Sequence, residues 1–347
     1  MNTTPHRSGT IDLAKCIAIC AVLLIHCSAG RFSLSSIGSP QWLTALFWNA
    51  GCKWAVPLFL MCSGALMNDP QRELPLSKLF SRYVLRLAVA LSIWAALYEC
   101  LRIFMLRGSA PLSSLLWEAA KNWLTGNTYY HLYYFYFAFG LYLALPITRI
   151  IARWASEQEL RYILAAFLLC GSLLPCLQYF FPFSQEGPSL LRYILPPVFT
   201  CIGLGLWGWY LHSKPAKSLL VPILLFLAGF ASEFFFTWQR SLSEGALNMI
   251  FLDGFSPSTL LMAAGIFLLA HTIASRHTLP RPIAFLSRAS FCIYLIHPFF
   301  QWLTHQSFFE SLPPLWGTPL QAAVLLVLSI CCYCVLHRIP IVNRWLI

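Results

Sequence analysis

Long apolar runs alternate with short polar connections along almost the whole chain. Runs of spanning length occur at roughly 11–29, 42–67, 80–106, 129–149, 160–181, 190–211, 218–237, 256–274, 287–305 and 319–337. Each is close to the roughly 20 residues that a helix needs to cross the hydrocarbon core of a bilayer. The pattern predicts an all-α, polytopic membrane protein with about ten transmembrane helices, built as a single transmembrane domain over residues 1–347. The longest connection, about 107–128, carries Leu115, Leu116, Trp117 and Trp123. Their spacing predicts a short helix lying in the membrane interface.

Composition supports the pattern. The chain is 59% hydrophobic and only 10% charged, against roughly 25% charged in soluble domains. The net charge is +11, but the basic residues sit in short clusters between apolar runs, which marks topology rather than a nucleic-acid surface. One set of alternate connections holds Arg7, Arg72, Lys78, Arg82, Arg149, Arg153, Arg161, Lys214, Lys217, Arg276, Arg281, Arg288, Arg338 and Arg344. The other set holds only Arg31, Arg107, Lys121 and Arg240. The positive-inside rule makes the first set cytoplasmic, with both termini inside. The run after Arg7 imitates a secretory signal, but Asp12, Lys15 and His26 interrupt it, so it is expected to stay as the first helix. Most of the thirteen cysteines lie inside apolar runs, as small apolar side chains do, and no C-x-x-C pairing points to a metal.

Ionisable groups inside membrane helices are costly and are therefore functional candidates. The first helix holds the most informative set. Lys15 and His26 are eleven residues apart, which places them about 20° from the same face and about 16 Å apart along the axis. Asp12 shares that face one turn before Lys15, where it can pair with it. The second run contains Lys53, then Val56-Pro57-Leu58-Phe59 and Ser63-Gly64. The proline frees a carbonyl, and the small pair allows close helix contact. Arg82 and Arg86, four apart, share a face at the entry to the third run. Glu99 and Arg102 are spaced to pair with each other. The fourth run opens on Tyr129-Tyr130-His131-Leu132-Tyr133-Tyr134, and the ninth carries Ser290, Tyr294, His297 and Pro298. Glu233 is an isolated acid. Most of these features also suit plain packing or topology.

In order, these segments resemble the acyltransferase 3 family of membrane acyltransferases. Ile11-Asp12-Leu13-Ala14-Lys15 followed by His26 resembles the R-x10-H signature, with lysine standing for arginine. Val56-Pro57-Leu58-Phe59 to Ser63-Gly64 is similar to the family's second-helix motif. Tyr130-His131-Leu132-Tyr133-Tyr134-Phe135 is similar to its "HLWFL" motif, and Ser290 with Ile293-Tyr294-Leu295-Ile296-His297 to its "S-x-x-IYLIH" stretch. The third-helix R-x-x-R pattern is met only loosely, since Arg82 and Arg86 are four apart. The chain looks most like short members without an extra extracytoplasmic domain, such as those that acetylate enterobacterial common antigen.

The resemblance implies acyl transfer in a bacterial inner membrane, from cytoplasmic acyl-CoA, with acetyl-CoA as the expected donor. The acceptor is a cell-envelope glycan or lipid-linked saccharide. It implies His26 as the catalytic residue, either as general base or as acyl carrier. Lys15, Arg82, Arg86, Lys53 and Ser63 are then expected on the donor side, and Asp12, Tyr130, His131, Glu99 and His297 on the acceptor side. No metal and no nucleic acid is expected, and membrane lipid is the surrounding partner. A secondary transporter or flippase would also place ionisable groups within spans, but the second half of the chain does not repeat the first. A multi-span glycan polymerase or ligase usually carries a large outer loop, and none is evident.

Overall fold

The computed structural model describes residues 8–106, 111–180, 197–215, 218–304 and 308–347. Arg7, Arg107 and Lys217, used above for orientation, lie outside the described residues. Among those described, every regular element is helical. Nine helical segments among the described residues are long and apolar enough to cross a membrane, so the protein is an all-α polytopic membrane protein.

The first helix, α1 (Gly9–Leu34), stands at the centre. It packs against α2 (Pro40–Ala50), α3 (Ala55–Met67), α11 (Pro257–Arg276), α12 (Arg281–Leu303) and α13 (Pro314–Leu336). Ala14, Ala18, Ile19, Val22 and Leu23 are buried along it, and the alanines let neighbouring helices approach closely. The remaining helices are α4 (Leu85–Leu106), α5 (Leu112–Thr125), α6 (Tyr133–Trp154), α7 (Glu157–Leu168), α8 (Leu174–Phe180), α9 (Pro197–Ser213) and α10 (Leu220–Glu244), with α14 (Pro340–Trp345) last. The tenth expected span, near 190–211, is described only from α9 onward. Leu224, Leu227 and Phe235 of α10 are each about half exposed or more. A face that apolar is solvated by lipid rather than water. The expected interfacial helix is α5, which exposes Trp117 and Leu124.

Two local departures from the expected elements shape the interior. The run 42–67 reads as one span, but the structure breaks it at 51–54 into α2 and α3. Pro57 has no N–H to offer the Lys53 carbonyl, so the helical ladder fails there. The break is closed by shorter-range bonds, among them Cys52 N to Asn49 O at 3.3 Å and Ala55 N to Cys52 O at 3.1 Å. The entry to the third span holds a wide π-helical segment, Leu79–Val84, between a short helical turn at Leu76–Lys78 and α4. Such segments interrupt regular register and often sit at functional sites. Ser63-Gly64 makes the close contact that its small side chains allow. A Cβ on Gly64 would run into the backbone of Gly205 in α9.

Candidate functional site

The structure brings His26, His131 and His297 into one cluster. The His26 and His297 rings stack with centroids 4.9 Å apart, and His131 meets His297 edge-on at 5.6 Å. His131 and His297 have no exposed surface, whereas His26 is half-buried. Tyr130 leans over His26 at 5.0 Å. Its hydroxyl donates to Gln301 Oε1 at 3.0 Å, and Gln301 Nε2 donates to the His26 carbonyl at 2.8 Å. Gln301 therefore ties α12 to α1 just where His26 sits. His131 is boxed by Tyr98, Tyr129, Tyr130 and Tyr294.

Hydrogen bonding fixes one ring state. His297 Nδ1 lies 2.8 Å from the Tyr294 carbonyl and 3.2 Å from that of Ile293. A carbonyl only accepts, so Nδ1 carries the proton and Nε2 of the neutral ring holds the lone pair. That Nε2, like both nitrogens of His131, is buried with no hydrogen-bond partner among the described residues. No group described hydrogen-bonds the His26 ring. Buried polar atoms without partners are rare in native proteins and ask for an explanation.

Below the cluster lies a cavity of about 230 Å³, lined by Lys15, Ser63, Tyr83, Arg86, Tyr134 and Tyr294 among others. Tyr294 joins the two regions. Its ring lines the cavity and packs against His131, and its hydroxyl donates to the His131 carbonyl. His26 lies outside the cavity lining, eleven residues further along α1 than Lys15, and Tyr294 is the residue that touches both regions.

Other expected residues fall elsewhere. Arg86 lines the cavity and donates to the main-chain oxygen of Ile347, but Arg82 is exposed and outside the lining. The expectation of one basic face did not foresee that Arg82 lies in the π segment and Arg86 in the regular helix after it. Ser63 lines the same cavity as Lys15, whereas Lys53 lies in the break before the other end of α3. Because α3 runs opposite to α1, Lys53 stands near His26 instead, within electrostatic reach of it and of Glu233 and Asp253. Asp12 accepts from Ser287 Oγ at 2.6 Å and lines a separate shallow cleft with Arg276 and His277. Glu99 is paired with Arg102, as its spacing predicts, and accepts from Asn122 at 3.4 Å. These contacts bind it to α5, apart from the histidines.

Sequence reasoning passed over Tyr98 and Gln301. Gln301 is four residues after His297, so it shares its face. Tyr98, whose hydroxyl donates to the Leu295 carbonyl at 2.6 Å, gave no signal beyond being a tyrosine in an apolar run. No three His, Cys, Asp or Glu side chains among the described residues are arranged to hold a metal ion.

A helical membrane protein with three clustered histidines, and a cavity beside them that holds Lys15 and Arg86, has the parts for proton-transfer chemistry inside the bilayer. The family model described as an acyltransferase domain, Acyl_transf_3, matches residues 9–338, and the chain belongs to that family. It is a membrane acyltransferase. No curated protein and no solved structure matches the chain.

Proposed function

We propose that the protein is an O-acyltransferase of a bacterial inner membrane. It takes an acyl group, most simply acetyl, from cytoplasmic acyl-CoA and places it on a hydroxyl of a cell-envelope glycan or lipid-linked saccharide. The observation that carries this reading is a pair of sites along α1, a cavity holding the cations Lys15 and Arg86 at one end and the half-buried, unbonded His26 at the other, with Tyr294 lining the cavity and packing against His131. The excess of Lys and Arg at the Lys15 end makes that end cytoplasmic.

In this reading the donor enters past Lys15 and Arg86, which attract its phosphates, and the pantetheine arm lies along the cavity toward Tyr294. The thioester carbonyl arrives beside His26, and the acceptor hydroxyl comes from the opposite end, past Tyr130. His26 takes the hydroxyl proton as the oxygen attacks the carbonyl carbon. The C–S bond breaks, the new ester leaves with the acceptor, and the proton on His26 passes to the departing thiolate. His297, whose Nδ1–H is anchored to backbone, holds the His26 ring by stacking. Lys53 belongs to the acceptor side. Enterobacterial common antigen, the substrate of the short members that the sequence resembles, is the acceptor to try first.

The test uses purified protein in proteoliposomes with radiolabelled acetyl-CoA. Label is expected to pass to an envelope-glycan fraction, and Lys15→Ala is expected to raise donor KM about tenfold, as losing a charge-assisted contact does, while Lys15→Arg restores it. Normal donor KM in Lys15→Ala removes Lys15 from the donor site, and absence of any label transfer sinks the reading.

A further inference from the structure

Three arginines that the sequence reading assigned to topology come together in space. Arg72 follows α3, and Arg149 and Arg153 stand one turn apart near the end of α6. They line a second, more open cavity of about 580 Å³ with Trp154 at its edge. Arg149 is within electrostatic reach of Arg72, Arg153 and Asp69, yet none of the three arginines forms an ion pair among the described residues. Asp69 accepts from Gln71 N in its own turn at 2.9 Å, and Glu73 is exposed at the rim. One carboxylate within reach offsets only part of three like charges, and the remainder favours a further anion.

Part of their donor set is spent on the chain. Arg149 donates to the carbonyls of Met67, Asp69 and Arg72. Arg153 uses one nitrogen, on the Pro70 carbonyl at 3.0 Å. A guanidinium has five N–H donors in a planar fork, so Arg153, which is exposed, keeps most of its set for a ligand. Arg72 links the two cavities. Its guanidinium donates to the Tyr83 hydroxyl at 2.9 Å, and the Tyr83 ring lines the first cavity.

Size separates the two spaces. The first, at about 230 Å³, lies below the usual range of roughly 300–1,000 Å³ for ligand pockets. It suits an acyl-pantetheine arm but not a nucleotide. The second is larger, cationic and edged by an indole that is 77% exposed. We propose that the Arg72–Arg149–Arg153 cleft binds the 3′-phosphoadenosine end of the acyl-CoA donor, leaving the diphosphate to Lys15 and Arg86. Arg153 meets the 3′-phosphate and Trp154 lies against the adenine. The proposal rests on acyl-CoA being the donor, and it names where the nucleotide is recognised. An anionic phospholipid headgroup offers the same phosphate chemistry, and the test separates the two.

Equilibrium binding is measured for labelled acetyl-CoA and for acetyl-3′-dephospho-CoA, with full-length protein in nanodiscs of phosphatidylcholine and, separately, of phosphatidylglycerol. Wild type is expected to prefer acetyl-CoA about tenfold, the worth of one charge-assisted phosphate contact. Arg153→Gln, on an exposed side chain that folding does not need, is expected to bind both thioesters alike. Arg153→Lys is expected to regain part of the preference. A wild type that binds both equally, or an Arg153→Gln that keeps the preference, overturns the cleft and leaves the donor reading standing. So does a variant whose only change is a lost response to phosphatidylglycerol. A wild type that binds neither thioester overturns the donor reading and this proposal together.

Discussion

Two groups of histidines stand near opposite ends of α1, and the contrast between them shows what marks a reactive one. At the start of the helix, His212 and His271 have ring centroids 5.2 Å apart, as close as His26 and His297. There the nitrogens are largely bonded. His271 Nε2 lies 2.8 Å from the Lys214 carbonyl and so donates to it. Its Nδ1 then holds the lone pair, which accepts from Thr10 Oγ1 at 3.0 Å. His212 Nε2 meets Ser8 Oγ at 3.4 Å, and only its Nδ1 lacks a partner. Some sixteen residues along α1, about 24 Å by helix rise, the pattern reverses. His297 spends Nδ1–H on a carbonyl and leaves Nε2 open, and His26 is unbonded and reachable. Closeness of rings is common to both groups. A half-buried imidazole with neither ring nitrogen bonded belongs to one.

The comparison breaks most directly at His26. General base catalysis is worth roughly 10²–10⁴-fold, so His26→Ala is expected to lose acyl transfer by that order. His26→Gln is expected not to recover it, because an amide can hydrogen-bond but cannot take the proton. Donor binding should hold, since the cations lie about 16 Å away along α1. Steady-state transfer and donor binding measured on the same preparations decide it. Transfer within a few-fold of wild type would make the two histidine groups equivalent.

A smaller effect is expected at His297. Asparagine places an amide N–H where Nδ1–H stands, so His297→Asn keeps the bond to the Tyr294 carbonyl and removes Nε2 together with the stacked ring. If His297 positions His26, kcat should fall about tenfold, the scale of one misplaced contact in a buried site, with donor KM unchanged. A matching rise in KM without loss of kcat would place His297 in donor binding instead.

The sequence made the spans and the three candidate histidines legible for a simple reason. Twenty-residue apolar runs carry little ambiguity, and an ionised lysine with a histidine eleven residues on stands out inside such a run. The break at 51–54 was not legible, because Pro57 in the first turn of a helix looks the same whether a helix precedes it or not. The π segment at Leu79–Val84 had no signature at all, and it holds Arg82 while Arg86 stands in α4. The three arginines around Arg149 read as topology because charge counting cannot tell that connections distant in sequence meet. His212 and His271, equally apolar in their surroundings, became structural only when their partners, Thr10 and the Lys214 carbonyl, appeared in space.

The smallest effect on activity is expected where the rings are already bonded. His271→Ala removes the donor to the Lys214 carbonyl and the acceptor for Thr10, and Thr10 is buried. Leaving such groups without partners destabilises by about 1–3 kcal/mol each when burial is complete. His271 is half-buried, so water can reach part of the gap and the loss should fall near the lower figure. Thermal unfolding in detergent should then begin at lower temperature, while kcat and donor KM at a permissive temperature stay within a few-fold of wild type. His271→Gln can donate its amide N–H to the Lys214 carbonyl and should recover part of the stability. The two measurements must move apart for the contrast to hold: stability falls at His271 with chemistry intact, and chemistry falls at His26 with stability intact. A stable His271→Ala protein that has lost transfer would mean that bonded nitrogens do not exclude a histidine from the reaction, and the rule drawn from this pair of clusters would fail.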